Sequence, residues 1–375
     1  MTLKITSIRQ HNKTSVLKHI INNQPISRAT VSNETGLNKA TVSEITKELL
    51  DEKIVQETGI GESTLQGGRK PIMLTFNHRA GMSIGIDIGV NSIRIMSTYL
   101  NGEIITQEKM NYKTNELFST IKHILKTEYS KSKKLPYGVV GATISVQGIV
   151  HKNKIFFTPN YNIVDIEAII KDFDFPIFFE NEANLAAYAH LYNSENQLND
   201  HTIAAITLRT GIGSGIITNG EIYKGFESRA GELGHTIVVP NGTQCPCGNK
   251  GCLEMYASEK ALLKEYNERQ GKKDLTIQDF IKDYRNNETV AKEVLEGISE
   301  FLAIGLNNFI ALFAIEEIYL VSNLSHEIPS LVDFIDHKIN SVFSRDNRLL
   351  NSDFGKFAPA LGAALYSTDK FIDTI

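Results

Sequence analysis

The chain has 375 residues, is 41% apolar with no tryptophan, and carries 39 Lys and Arg against 43 Asp and Glu, a net charge of −4. That length supports two or three domains, each able to bury a core of its own. No apolar run approaches a membrane span, and the start Met1-Thr-Leu-Lys-Ile5 lacks a signal peptide's long apolar stretch, so the expected address is the cytoplasm with no membrane partner.

The charge is unevenly placed. Residues 1–76 hold ten Lys or Arg against seven Asp or Glu, a balance of +3, which leaves −7 on the remainder. Such mild basicity permits contact with nucleic acid without requiring it. From Thr6 to about Asn22, the residues Ile8, Val16, Leu17, Ile20 and Ile21 recur among polar ones as on an amphipathic helix, which Gln24-Pro25 ends. Ser27 opens a short second helix to Thr35, and Gly36 makes the turn. Asn38 then caps a third helix, Lys39 to about Glu52. Within it Val42, Ile45 and Leu49 share one face, with Leu50 close by, and Lys39, Ala40, Thr41, Ser43, Glu44 and Lys47 are left outward. Two helices joined through a glycine, the second presenting short polar side chains and lysines, is how a helix-turn-helix addresses a major groove. Lys53–Thr58 alternates as a strand, a Gly-rich tip runs from Gly59 to Lys70, and Pro71–Phe76 makes a second strand. The hairpin completes a winged version, with Arg69 and Lys70 set against phosphate or minor groove. By pattern alone, any small helical domain fits the same three segments.

Further on, Met82–Gly89 is a buried-strand run ending in D-x-G. Strands at Ser92–Leu100 and Glu103–Met110 flank an Asn101-Gly102 turn, followed by a helix over 116–130 and a strand at Tyr137–Ser145. This β-β-β-α-β order is the opening of an actin-like, ribonuclease-H-like fold. Around Ile203–Leu208 the pattern begins again, with Gly211-Ile-Gly213-Ser-Gly215, a strand and an Asn219-Gly220 turn. A helical stretch near 257–310, a strand at Glu317–Ser322 and a closing helix at Ala358–Tyr366 follow. The doubling matches the two lobes of that fold, which holds its ligand in the cleft between them.

All three cysteines fall within eight positions, Cys245-Pro-Cys247-Gly-Asn-Lys-Gly-Cys252, with His235 upstream. One imidazole and three thiols are the ligand set of a closed tetrahedral zinc site, and cysteines gathered in one loop point to a metal rather than to a disulfide framework. Gly248 and Gly251 suit so tight a loop. Three surface thiols without metal are the alternative.

Glu232-Leu-Gly234-His235 opens this segment and Glu254 follows the last cysteine. Together they read E-x-G-H, ten residues to the first cysteine, then C-x-C-G-x-x-G-C-x-E over 23 positions. The pattern resembles the signature of the ROK family of repressors, open reading frames and sugar kinases, and the resemblance covers residues 80 to about 370. It implies that one ring nitrogen of His235 holds structural zinc with Cys245, Cys247 and Cys252 while the other faces a sugar hydroxyl. Glu232 and Glu254 would accept hydrogen bonds from further hydroxyls, joined by Asn181 and Glu182, with Asn160 in Thr158-Pro-Asn160 adding a contact. A metal-fixed imidazole reaches the sugar already oriented.

Sugar kinases of that family hold ATP with D-x-G-G-T, a second Gly-rich loop and a third glycine run, and use the aspartate of N-D-A-N as general base. Here the first loop is Asp87-Ile-Gly89-Val90-Asn91, and the second has Arg209-Thr210 where kinases have Gly-Thr. The third is Ser322-Asn323-Leu324, and Glu182 in Asn181-Glu-Ala-Asn184 stands at the base position. An extra methylene displaces the carboxylate by about an ångström, which is worth about a hundredfold in rate; a glutamate can still abstract a proton. Together the departures imply a sugar site kept and phosphoryl transfer lost, so no enzyme, with Asp87 and the residual glycines left to serve turn geometry.

The chain as a whole is most similar to the xylose-repressor branch of the family. The expected architecture is α/β: a winged helix-turn-helix over 1–78, then a two-lobed actin-like/ribonuclease-H-like ROK sensing domain over 79–375 with its zinc loop at 235–254. The resemblance implies a sugar-responsive repressor that binds a palindromic operator as a homodimer through Asn38, Lys39, Ala40, Thr41, Ser43, Lys47, Arg69 and Lys70. A monosaccharide, D-xylose favoured, would release it. The alternative is an ATP-dependent hexose kinase, alone or within a bifunctional protein.

Overall fold

A computed structural model of the chain describes residues 2–61, 70–158, 167–193 and 201–375. It opens with α1 (Thr2–Asn23), β1 (Ile26–Ser27), α2 (Arg28–Thr35), α3 (Lys39–Asp51), β2 (Val55–Ile60) and β3 (Ile72–Phe76). The cap residues act as their positions suggest. Ser27 accepts a hydrogen bond from the Thr30 N–H, Asn38 accepts from the Thr41 N–H, and Gly36 takes up φ 70° in the turn between the two helices. β2 and β3 form an antiparallel hairpin, and the short β1, which nothing in the sequence announced, adds to it by pairing Ile26 with Leu74. Val16, Leu17, Ile20, Val42, Ile45, Leu49 and Leu74 make the core between the three helices and this sheet.

Next come β4 (Met82–Ile88), β5 (Ser92–Tyr99), β6 (Ile104–Asn111), α4 (Leu117–Lys131), β7 (Val139–Val146), β8 (Ile149–His151), β9 (Lys154–Phe157), β10 (Ile177–Asn181) and α5 (Glu182–Asn193). The chain continues through β11 (Thr202–Leu208), β12 (Ile212–Thr218), β13 (Glu221–Ile222), α6 (Glu254–Ala257), α7 (Glu259–Gln270), α8 (Ile277–Arg285) and α9 (Thr289–Phe313). It closes with β14 (Glu317–Ser322), α10 (Asn323–Glu327), α11 (Ser330–Asp336), β15 (Arg348–Asn351) and α12 (Ala358–Ile372). The two five-stranded sheets, β10-β7-β4-β5-β6 and β13-β12-β11-β14-β15, have one topology. In each, the first strand pairs antiparallel with the second and parallel with the fourth, and the fifth extends the parallel side. The doubling read from the sequence is therefore a repeated sheet.

The helical stretch near 257–310 is three helices. Gly271, at φ 64°, ends α7, and Asn287, at φ 63°, separates α8 from α9. One sequence expectation needs correcting. Among the described residues α9 is long and apolar enough to cross a membrane, with a mean hydropathy of 1.3 over its most apolar window. Its residues Val294, Leu295, Ile298, Leu302, Leu306 and Phe309 are instead buried in the core of the second lobe, against α7, α8 and α11.

α5 and α12 pack on each other between the two sheets. α12 then continues past the lobes, and Phe371, Ile372 and Ile375 join the core built around α1 and α3. Lys18 pairs with Asp373 at 2.7 Å, and Gln10 Nε2 donates to the Thr374 carbonyl at 2.9 Å. The N-terminal region and the last turn of the chain thus share one apolar core.

Candidate functional site

The Cys245–Cys252 loop folds back on the segment that precedes it. Isolated bridges pair Ile237 with Cys252 and Gln244 with Lys250. Gly251, at φ 87°, lies where any Cβ would be 1.7 Å from the Val239 carbonyl, so a side chain there is excluded. The result brings His235, Cys245, Cys247 and Cys252 together, with one ligand atom of each within 4.8 Å of the others. Cys245 Sγ lies 3.6 Å from His235 Nδ1, and the sulfurs of Cys247 and Cys252 are also 3.6 Å apart. A tetrahedron with Zn–S bonds of about 2.3 Å has edges of about 3.8 Å, so the donor set fits a zinc ion. Its four members are the ones the sequence named.

His235 lies between both glutamates of the signature. Its Nδ1 faces the sulfurs and lies 3.4 Å from Glu254 Oε1, while Nε2 turns to Glu232 Oε2 at 3.8 Å. In the thiol form Cys245 donates to Glu254 Oε1 at 3.1 Å. A cavity of about 410 Å³ adjoins Glu232, but its lining is mainly apolar, with Tyr223, Phe226, Phe309, Leu312 and Phe313 in the wall. Those walls do not suit a polyhydroxylated ligand, and the polar groups converge elsewhere.

They converge on the β11–β12 hairpin, whose alternate residues on one face are Gly211, Gly213 and Gly215. A Cβ at 211 would stand 3.0 Å from Glu254 Oε2, one at 213 would stand 2.8 Å from Thr207 Oγ1, and one at 215 would stand 2.1 Å from the Ala183 carbonyl. The glycines let the start of α6 and the start of α5 lie directly on the strand. Glu254 and the Glu182 turn thus lie against the same strand.

Glu182 is 8% exposed. Its Oε2 accepts from Arg209 Nη1 at 2.7 Å and Gln147 Nε2 at 3.2 Å, and its Oε1 accepts from Thr207 Oγ1 at 3.2 Å. Burial raises its pKa; Arg209 opposes that and Asp87 adds to it, with a net upward direction. Asn181, beside it, caps α5: Oδ1 accepts from the Ala183 and Asn184 N–H groups, and Nδ2 donates to the Gly148 carbonyl. Most of its hydrogen-bonding capacity is thus spent on the chain. Asn160 lies outside the described residues.

Asp87 does not serve a turn. It is a fully buried residue of β4, and its carboxylate accepts from Arg94 Nη1 at 3.0 Å, Arg209 Nη2 at 2.9 Å and Ser145 Oγ at 3.0 Å. Burial alone would raise its pKa, but the attraction of Arg209 and Arg94 outweighs it and the net direction is down. Arg209 therefore connects a carboxylate of the first sheet to one at the head of α5. Glu259, behind it, has its pKa raised by burial to about 7, with Arg209 opposing.

Sequence reasoning missed Arg94, Gln147 and Glu180. Glu180 is buried, accepts from the Asn181 N–H at 2.9 Å and Asn184 Nδ2 at 3.0 Å, and pairs with Lys224 at 2.5 Å. The available signal was the acidic residue closing the apolar run Ile177–Phe179, immediately before Asn181.

At the other end of the molecule, Asn38, Lys39, Ala40, Ser43 and Lys47 are exposed on α3 and Thr41 is half-buried. Arg9 binds Glu44 at 3.0 Å across from α1. Lys70 is exposed, and Arg69 lies outside the described residues.

Comparison with known proteins completes the picture. The family model described as "ROK family" matches residues 83–370. The xylose repressor of Bacillus subtilis (strain 168) is 38% identical over 385 residues, which span 99% of this chain and 98% of that protein. A crystal structure of a ROK family transcriptional regulator, a homolog of the E. coli MLC protein, superimposes with a TM-score of 0.81 at 25% identity, covering 98% of this chain and 97% of that one. The ROK family glucokinase from Streptomyces griseus, solved with glucose and AMPPNP, is similar in fold. It has a TM-score of 0.66 at 24% identity, covering 76% of this chain and 98% of the enzyme.

Proposed function

The chain belongs to the ROK family, and from that premise we propose that it is a transcriptional repressor that binds operator DNA and is released by a monosaccharide, D-xylose before others. The observation that carries this is coverage. The likeness to the xylose repressor and to the ROK regulator runs through 98% or more of the chain and so includes the helices ahead of the kinase-like lobes.

Residues 1–78 would be the DNA-binding domain. α3 is its recognition helix, with Lys39, Ala40, Thr41, Ser43 and Lys47 toward the major groove, the exposed Asn38 at the cap, and Arg69 and Lys70 at the wing. A homodimer on a palindrome follows from the usual match of protein and operator symmetry. The sugar would lie on the glycine hairpin between Glu182 and Glu254, with Glu232, His235, Asn181 and Asn160 at its edges. With zinc on Nδ1, His235 presents Nε2–H as a fixed donor, while the carboxylates accept from hydroxyls. Zinc would keep Cys245 a thiolate, which frees Glu254 Oε1 from its bond to the thiol. Phosphoryl transfer would be absent, because Glu182 is already paired with Arg209 and its side chain is one methylene longer than the kinase aspartate.

Release requires that sugar favour one arrangement of the lobes and DNA the other. α12 supplies the link, since it packs on α5 within the cleft and ends in the core of the N-terminal helices. The test is to select duplexes from a random pool with the zinc-replete protein, then to titrate the selected duplex complex with xylose, glucose and ATP. Enrichment of a palindrome whose binding xylose weakens is the expected result. A pool with no enriched sequence would remove the repressor reading, and sugar-dependent ATP turnover would replace it with a kinase.

A further inference from the structure

We propose that Arg209 is a positioning residue of the sugar cleft, holding the Glu182 carboxylate against the first sheet so that Oε1 is presented to a hydroxyl of an uncharged ligand. This deepens the proposal of a monosaccharide site and rests on it. The geometry is a clamp. The Arg209 backbone is fixed on both sides, its N–H donating to the Gly211 carbonyl at 3.0 Å and its carbonyl accepting from the Glu259 N–H at 3.0 Å. Its guanidinium meets both Asp87 oxygens, Nη2 to Oδ2 at 2.9 Å and Nη1 to Oδ1 at 3.5 Å. Asp87 has no latitude of its own, being buried in β4 and held by Arg94 and Ser145. The same Nη1 also donates, more closely, to Glu182 Oε2 at 2.7 Å.

The division of bonds on Glu182 is informative. Oε2 carries two donors, Arg209 and Gln147, whereas Oε1 carries Thr207 alone, and a carboxylate oxygen accepts about two. One acceptor direction is left on Oε1. A carboxylate this buried stays ionised only beside a fixed cation. The charged groups around it are Arg209 from the β11–β12 hairpin, Asp87 from β4 and Arg94 from β5, with Glu259 of α7 behind Arg209. Arg94 is engaged by Asp87, so Arg209 is the cation on Glu182 itself. A lysine could supply charge but not the planar fork that spans two carboxylates. The same guanidinium occupies the space between Asp87 and Glu182 and, with Arg94, balances both charges, so neither arginine is left as an unpaired cation for a triphosphate.

Calorimetric titration with D-xylose decides the matter, run at about pH 6 and about pH 8 on the wild type, Arg209→Met, Arg209→Lys and Arg209→Met/Glu182→Gln, each carrying Glu259→Gln so that the carboxyl with a pKa of about 7 behind Arg209 does not titrate in this window. Circular dichroism accompanies each variant. The wild type should bind with an affinity that changes little between the two conditions. Arg209→Met should bind about tenfold or more weakly at the lower pH and recover part of that loss at the higher, as Glu182 ionises. Arg209→Lys should flatten the pH dependence without restoring full affinity, and the double variant should show none. Wild-type affinity in Arg209→Met at both conditions would overturn the proposal. So would a pH dependence that persists in the double variant, because another group would then be titrating. If Arg209→Met does not fold, full wild-type affinity in Arg209→Lys overturns the clamp. A wild type that binds no xylose, glucose or N-acetylglucosamine would instead overturn the sugar site, and this inference with it.

Discussion

Gly362 of α12 lies so close to Leu185 of α5 that a Cβ at 362 would stand 1.8 Å from the Leu185 carbonyl oxygen. The same closeness recurs on either side. A Cβ on Gly85 of β4 would stand 1.9 Å from the Ala360 carbonyl, and one on Gly215 of β12 would stand 2.1 Å from that of Ala183. First sheet, α12, α5 and second sheet are therefore stacked with a glycine at each interface, and both ends of the stack reach the cleft. Gly362→Ala must push the helices apart, and overpacking of this kind costs about 1–3 kcal/mol or more. Urea unfolding should show that loss. Unchanged stability in Gly362→Ala would mean that the two helices are not held this closely.

The difference between what the sequence disclosed and what it hid has physical causes. α3 was legible because Val42, Ile45 and Leu49 recur at helical spacing and Asn38 is a strong cap. The cluster of His235, Cys245, Cys247 and Cys252 was legible because four side chains of metal-binding chemistry lie within a short segment. α5 was not, since Ala183, Leu185, Ala186, Ala187 and Ala189 bury it on every side and leave no periodicity. The apolar length of α9 was overlooked: no run was read as approaching a membrane span, although this helix is long and apolar enough to cross one. The pairing of Arg94 with Asp87 depends on the β4–β5 register, and that of Arg209 with both carboxylates on the approach of two sheets. Neither is a property of spacing along the chain, which is why Asp87 was assigned to a turn.

His190 gives the fold a defined acid sensitivity. It lies 1% exposed in α5, stacked on Tyr319 at 3.8 Å with Nε2 2.9 Å from Ser352 Oγ, and burial lowers its pKa to about 3. The unfolded chain takes up a proton near pH 6.5 that the folded chain refuses. The stabilising contribution is therefore complete above that value and is lost progressively as pH falls toward about 3. Between about pH 7.5 and about pH 5 this amounts to roughly 2 kcal/mol. Denaturation of the wild type and His190→Gln at both conditions should show a smaller pH dependence in the variant by about that amount. Equal slopes would mean that His190 is not the group responsible.

Metal content should govern sugar affinity through His235. Cys247 is the exposed ligand, so Cys247→Ser removes a zinc donor without disturbing the core. We expect about one equivalent of zinc in the wild type and far less in this variant, with xylose affinity falling about 10–100-fold. Elemental analysis and calorimetry on the same preparations check both. Metal-free protein that binds xylose as tightly as the loaded form would detach the cluster from the sugar site, leaving it a staple for the 235–254 loop.

The exposed lysines of α3 should differ from Ser43 in how they contribute to DNA binding. Lys39 and Lys47 stand clear of acidic partners, whereas Glu44 between them is held back by Arg9. A lysine that neutralises a phosphate releases counterions, so Lys39→Ala or Lys47→Ala should weaken all duplexes alike and reduce the salt slope by about 1 each. Ser43→Ala should leave the slope unchanged and narrow the gap between selected and random duplex, as expected for a side chain at a base edge. Anisotropy titrations at several salt concentrations separate these outcomes. If Lys39→Ala/Lys47→Ala keeps the full salt slope, phosphate contact lies on another surface and α3 is not the helix in the groove.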